Sequence, residues 1–329
     1  MPMEELKLTF VNVGYGEAMV LECPDPGRPD GTFVMVIDGG SGEPEEYAGD
    51  SGRIPLDTYL SLRGIDRIDL MVATHIHEDH LCGLLPAAER LKPGALWQSL
   101  PPAFYRAMRP LEIPEDGIAP SRAKFLRALN DYQTLCRRME GRLFQVLAGA
   151  ERGLCPGLMV RVQGPTAQRA EQLEDMCLEL YREKDDAAFW QRLARLDGEM
   201  NNYSLMLLLD YHGTRILLPV DTNCMGYDGL TEADLQADLF KVGHHGQRDG
   251  VSAEQMRMIR PRAVVCCASS DRRYNSAEPG ILKMMADDGA DLYFSDCPPG
   301  PDGTPPAPHR ALEIRIGGGT MKAAYHWEV

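Results

Sequence analysis

The sequence predicts a layered α/β fold built on one core, with a helical insertion at about 100–200. Three observations predict it. Short apolar segments rich in β-branched residues open the chain, amphipathic spacing fills its middle, and strands alternate with helices through its last third. At 329 residues the chain is long enough to bury a substantial core, and no repeat of fixed period divides it.

The opening segments "LKLTFVNVG", "EAMVLEC" and "TFVMVIDGG" are each closed by Gly, Pro or Asp and predict consecutive strands. "PLDTYLSLRGI" predicts a helix ending at Gly64, and the nearly continuous apolar run "IDLMVATH" predicts a buried strand. "HLCGLLPAAERL" predicts a returning helix that Pro86 kinks or interrupts. "SRAKFLRALNDYQTLCRRMEGRL" and "TAQRAEQLEDMCLELYREKDDAAFWQRLARL" carry apolar residues three and four apart, as amphipathic helices do, with short strands "LFQVLA" and "LMVRVQG" between them. Strand alternation resumes at "YSLMLLLDYHGTRILLPVD", where "YHGT" suits a hairpin loop. "ADLFKVGHH", a helix near 252–259, "AVVCCASS", a helix near 277–287, "ADLYFS" and the pair "ALEIRIGGGTMKAAYHWE" complete the pattern, and "CPPGPDGTPPAPH" predicts a surface loop.

Forty-nine acidic against 34 basic residues give a formal charge of -15, with few Lys/Arg clusters. That balance opposes a general nucleic-acid or anionic-membrane binder, while leaving room for an anionic substrate held by a metal. Nine cysteines form an odd set with no C-x-x-C pair, so buried reduced thiols are expected rather than a disulfide framework. "MPMEELKLTF" lacks a basic segment followed by an apolar one, no apolar stretch approaches membrane-spanning length, and a cytoplasmic location is expected.

The chemistry is concentrated in "THIHEDHLCG", residues 74–83, directly after an apolar strand. His75 and His77 are two apart, so an extended strand end turns both to one face, and Asp79 and His80 follow where the chain must turn. Imidazole with carboxylate suits zinc, iron or manganese, whereas an all-oxygen calcium or magnesium site would not need histidine.

In order along the chain, His75-Ile-His-Glu-Asp-His80, "FVNVGYGEAMVLE" with "FVMVIDGG", "NNYSLMLLLDYHGTRILLPVD" and "LFKVGHHGQRDGVS" resemble the metallo-β-lactamase-fold hydrolases. The resemblance is to the branch that includes the extracytoplasmic domain of DNA-uptake channel proteins and a choline-phosphate esterase. It implies a four-layer αββα sandwich spanning residues 1–329 as a single domain. It also implies one metal site at His75 and His77, a second at Asp79 and His80, Asp221 bridging them, and one of His244 and His245 completing the second. An extended strand would turn His244 and His245 to opposite faces, a break at Gly246 would relax that, and the choice stays open. The family's third histidine of the first site falls near Gly164, which has no side chain. Asp, Glu or His from the insertion could substitute, or the site could be completed by water, weakly filled or empty.

The resemblance implies zinc, one ion or two, with manganese or iron as alternatives. It also implies hydrolysis by a metal-bound hydroxide, Asp79 helping to fix the metal and nucleophile, and the free member of His244 and His245 protonating the leaving oxygen. A small phosphodiester or related phosphate ester ranks first; lactones, thioesters and other carbonyl esters, an iron-dependent redox relative and a non-catalytic metal-binding sensor are the rivals. Asp38 is either an aspartate orienting the metal loop or a turn residue. Asn202 and Ser204 are read as strand-start hydrogen-bonding groups or as loop orienters. Glu78 is expected to be solvated and Cys82 to be a small buried thiol. The helical middle is expected to act as a pocket lid or as a homodimer surface.

Overall fold

The computed structural model describes residues 5–49 and 51–329. In chain order the strands are β1 (Leu6–Val11), β2 (Met19–Pro24), β3 (Thr32–Ile37), β4 (Leu70–Val72), β5 (Ala95–Gln98), β6 (Leu143–Gln145), β7 (Glu151–Cys155), β8 (Leu158–Gly164), β9 (Met206–Tyr211), β10 (Thr214–Leu218), β11 (Leu239–Lys241), β12 (Ala263–Cys266), β13 (Asp291–Phe294), β14 (Ala311–Gly317) and β15 (Thr320–His326). The helices are α1 (Leu56–Leu62), α2 (Glu78–Leu81), α3 (Leu84–Leu91), α4 (Pro120–Arg138), α5 (Ala167–Arg182), α6 (Asp186–Glu199), α7 (Glu232–Leu235), α8 (Ala253–Ile259) and α9 (Pro279–Asp287).

Two mixed sheets carry the fold, one ordered β15-β14-β1-β2-β3-β4-β5-β6 and the other β13-β12-β11-β10-β9-β8-β7. Successive side chains along a strand point to opposite faces, and the strands use both. Met19 and Leu21 of β2 pack between the sheets with Leu207 and Leu209 of β9, while Val20 faces the helices on one outer side and Leu208 those on the other. That double burial explains why these strands read as near-continuous apolar runs. Three cores separated by two sheets make a four-layer αββα sandwich.

Helices α4, α5 and α6 of the middle segment lay Phe125, Leu129, Tyr132 and Cys136, then Leu173, Cys177 and Leu180, on the outer core of the first sheet. The second long helical run is two helices. Asp185 accepts from the Ala188 N–H at 2.8 Å, capping a new start after α5 ends. Pro86 neither kinks nor interrupts its helix. The break falls at Cys82–Gly83, and Pro86 sits in the first turn of α3, where its missing N–H costs no helical hydrogen bond. Nothing in the sequence predicts strand β7; as an edge strand with mostly exposed residues it has little apolar pattern to reveal it.

The parallel portions of the two sheets, β3-β4-β5-β6 and β10-β11-β12-β13, point their carboxyl ends the same way, and the segments leaving β3, β4, β10 and β11 bring the candidate residues together. No helix among the described residues is long and apolar enough to cross a membrane.

Candidate metal centre

The cluster begins at Asp38, just beyond β3 and held at φ 55°. Its Oδ1 accepts from the Thr74 N–H at 2.9 Å, and its Oδ2 accepts from the Thr74 hydroxyl at 2.6 Å and faces His80 Nδ1 at 2.9 Å. Asp38 is therefore an orienting group rather than a simple turn aspartate. It puts the ring proton of His80 on Nδ1 and leaves a lone pair on Nε2.

Around that lone pair lie three further donors. His80 Nε2 is 3.2 Å from Asp221 Oδ2, 3.3 Å from His245 Nε2 and 3.6 Å from Asp79 Oδ2; His245 Nε2 is 3.1 Å from Asp221 Oδ2 and 3.3 Å from Asp79 Oδ2. Tetrahedral zinc with bonds of about 2.0–2.1 Å needs donor separations of about 3.3 Å. These residues fit such an ion. His245 donates Nδ1–H to the Cys267 carbonyl at 2.8 Å, which keeps its Nε2 free as well. Beside this set, His75 Nε2 stands 3.1 Å from His77 Nδ1 and 4.0 Å from Asp221 Oδ2, so Asp221 lies between two donor groups.

The charges are mutually supporting. Burial alone would raise the Asp79 and Asp221 carboxyls, but the neighbouring His80 and His245 outweigh it and hold both below the ordinary carboxylate range. Burial pulls the His80 and His245 imidazoles down, and the same two aspartates outweigh it, leaving both raised. His75 is lowered, first by burial and then by His80 and His77, which favours the neutral ring a metal ligand needs.

His244 does not join this group. His244 and His245 occupy a tight turn at φ 45° and 51°, so the extended-strand argument does not apply, yet only His245 turns inward. His244 Nδ1 meets Asp249 at 2.8 Å, while Nε2 meets the amides of Asn201 at 2.9 Å and Gln247 at 3.1 Å on the wall of a cleft of about 300 Å³. Of the two candidates left open by the sequence, it is thus His245 and not His244 that faces the donor set. Asn202 and Ser204 lie off this cleft, with Asn202 Oδ1 and Ser204 Oγ buried and without hydrogen-bond partners; the neighbouring Asn201 reaches it instead. Glu78 is buried, not solvated, and accepts from Ser41 Oγ at 2.6 Å and the Gly42 N–H at 2.8 Å. Cys82 is a buried thiol whose pKa burial raises.

Gly164 ends β8 with room beside it: a Cβ there would come no closer than 3.6 Å to Met206 Cβ. No histidine stands in for it, but the insertion supplies Asp197. Its Oδ1 lies 3.3 Å from His77 Nε2, the ring nitrogen turned away from His75, so it orients that ring instead of adding a donor beside Nδ1. Lys124 and Phe125 of α4, with Tyr15 and Tyr274, also line the cleft. Sequence reasoning missed Glu17, Lys241, Asp197 and Lys124, since single charged residues on otherwise ordinary elements carry no spacing signal.

Residues 13–107 match the family model of the metallo-beta-lactamase superfamily. That segment, which holds the His75–His80 motif, is what the chain shares with the metallo-β-lactamase superfamily. The chain is 22% identical over 292 residues to ComE operon protein 3 of Bacillus subtilis (strain 168), covering 85% of this chain and 30% of that one. The chain thus spans under a third of that relative's length, and the match accords with the branch that its motifs resemble. Among solved structures it is similar to Zn(2+)-bound PqqB from Methylobacterium extorquens, with 10% identity over 88% of this chain and 98% of that one at a TM-score of 0.43. It is also similar to a diphosphatase of the PhnP family, with 12% identity over 95% and 99% of the two chains at a TM-score of 0.41.

Proposed function

We propose that the protein is a divalent-metal-dependent hydrolase acting on a small phosphodiester or related phosphate ester. The observation that carries the metal reading is the set of Asp79, His80, Asp221 and His245, in which the two histidine Nε2 atoms stand 3.3 Å from each other and 3.1–3.6 Å from the aspartate Oδ2 atoms, with both aspartates on the wall of a cleft. A divalent ion held there, zinc being the best match to this donor set, would lower the pKa of a bound water toward neutrality and offset negative charge developing on the substrate.

The chain's own residues do the rest. Asp38 and the Cys267 carbonyl fix the two imidazoles, and Asp197 fixes His77. His244, held through Nδ1 by Asp249, lines the cleft and serves as the group that passes a proton to the leaving oxygen once a substrate displaces the Asn201 and Gln247 amides from its Nε2. Lys124, paired with Glu43 at 3.1 Å, brings a cation to a wall that also carries Glu78, Asp79, Asp197 and Asp221, which favours a phosphate over an uncharged ester. A cleft of about 300 Å³ suits a small substrate better than long nucleic acid, in keeping with the net charge of -15. Helices α4 and α6 contribute to that cleft, which supports a pocket-shaping role for the insertion over a dimer surface. Nine cysteines with no C-x-x-C pair support a reducing compartment such as the cytoplasm.

The test is metal content together with turnover of a chromogenic phosphodiester, beside lactone and thioester substrates, for the parent and His80→Ala. Phosphodiester turnover lost in the variant is expected. Preference for a carbonyl ester would replace the substrate class. Metal uptake with no turnover under zinc, manganese or iron would favour the non-catalytic binder, to which Gly164 in place of a ligand already lends weight.

A further inference from the structure

The mechanism above leaves unused a pair of opposite charges sealed behind the donor cluster. Glu17 and Lys241 have fully buried side chains, and the Lys241 ammonium meets the Glu17 carboxylate. Replacing such pairs with apolar side chains is often neutral or stabilising in proteins, so stability alone gives no reason for one here.

Its surroundings supply one. The aspartate between the two donor groups directs Oδ2 toward His75, His80 and His245; its Oδ1 is buried without a hydrogen bond, and Lys241 Nζ lies 3.8 Å from it. Lys241 also donates to the Val220 carbonyl at 2.8 Å, which accepts from the His244 N–H at 3.0 Å too. Val220 is β-branched yet stands at φ 54°, a conformation that only surrounding contacts can sustain, and it is the turn at Val220 that swings Asp221 into the cleft. On the other side, the Glu17 N–H donates to the Asp79 carbonyl at 3.1 Å and its carbonyl accepts from Gly40 at 2.8 Å. Glu17 lies near His80, Asp221 and His245, but 3.7 Å from His245 Nδ1, the nitrogen bonded to Cys267 and turned away from the donor set. Glu17 belongs to the segment after β1 in one sheet, and Lys241 ends β11 in the other.

We propose that Glu17 and Lys241 form a positioning pair that locks the Asp79 loop of one sheet to the Asp221 turn of the other and thereby sets the affinity of the centre for its ion. The proposal rests on the reading that these aspartates and histidines hold a divalent metal. The pair touches no substrate and acts only through Asp79, Val220 and Asp221.

The experiment compares the full chain with Lys241→Met, Glu17→Gln and the double variant. Two readouts are taken: zinc dissociation constants by competition with a chromogenic chelator, and thermal unfolding of the metal-free protein. Each single change leaves a charge buried without its partner and is expected to lower the melting temperature. The double variant removes both charges and is expected to recover it while still binding zinc 10- to 100-fold more weakly than the parent. A double variant that binds zinc as the parent does overturns the inference, because a merely structural pair would be dispensable once both charges are gone. A parent that takes up no zinc, manganese or iron overturns the underlying reading and the inference with it.

Discussion

Asp38→Asn isolates one orienting contact with almost no change in volume. In the parent, Oδ1 takes the Thr74 N–H at 2.9 Å, and Oδ2 takes the Thr74 hydroxyl at 2.6 Å and faces His80 Nδ1 at 2.9 Å, all in a fully buried position. An asparagine can fill that space in two ways. With its oxygen at Oδ1, its NH₂ faces His80 Nδ1, which must then accept. The ring proton moves to Nε2, and the lone pair aimed at Asp79, Asp221 and His245 is lost. With its oxygen at Oδ2, the NH₂ confronts the Thr74 N–H, and a buried donor left unmet costs about 1–3 kcal/mol. Either orientation is expected to weaken zinc binding roughly 10- to 100-fold, or about 1.4–2.7 kcal/mol. Chelator competition at pH 7 measures it, with thermal unfolding of the metal-free protein as the control for folding. A variant matching the parent within about twofold in affinity, with the same melting temperature, would refute the claim that Asp38 sets the His80 tautomer.

His245→Ala is expected to lose zinc by elemental analysis, whereas His244→Ala is expected to retain it while kcat falls about 10²- to 10⁴-fold, since only His245 faces the donor set. Gly164→His meets only ordinary contact at its Cβ, so the variant is expected to fold and to take up a second equivalent of zinc at lower free zinc than the parent, read by titration calorimetry. Burial would raise the Glu43 carboxyl, but Lys124 at 3.1 Å and Arg127 outweigh it and hold it below its ordinary value. A depressed carboxylate stabilises the fold above its unfolded pKa of about 4.3 and ceases to do so as pH falls through its folded value. Glu43→Gln, partly exposed, should therefore cost about 0.2–1 kcal/mol at pH 7, with the difference from the parent closing in urea melts below about pH 4.

The strands legible in the sequence were those buried on both faces, such as β2 and β9, because double burial writes itself as an apolar run. An exposed edge strand such as β7 left no such record. The break between α5 and α6 was written locally, in the capping Asp185, but the apolar spacing on either side masked it. Most of the site was legible at residues 75–80 because its members are neighbours in sequence.

By itself, then, the sequence determined the layered α/β class, the clustering of metal-ligand residue types at His75, His77, Asp79 and His80, and the lack of a side chain at Gly164, since all three depend on residue type and near spacing. Only the tertiary structure decided that His245 and not His244 faces Asp221, that Asp197 arrives at His77 from the insertion, and that Glu17 and Lys241 meet behind the cluster. Those outcomes turn on left-handed backbone at Val220, His244 and His245 and on contacts between distant segments and opposite sheets. Backbone handedness and the approach of distant segments are set by packing, which no local pattern of residues encodes.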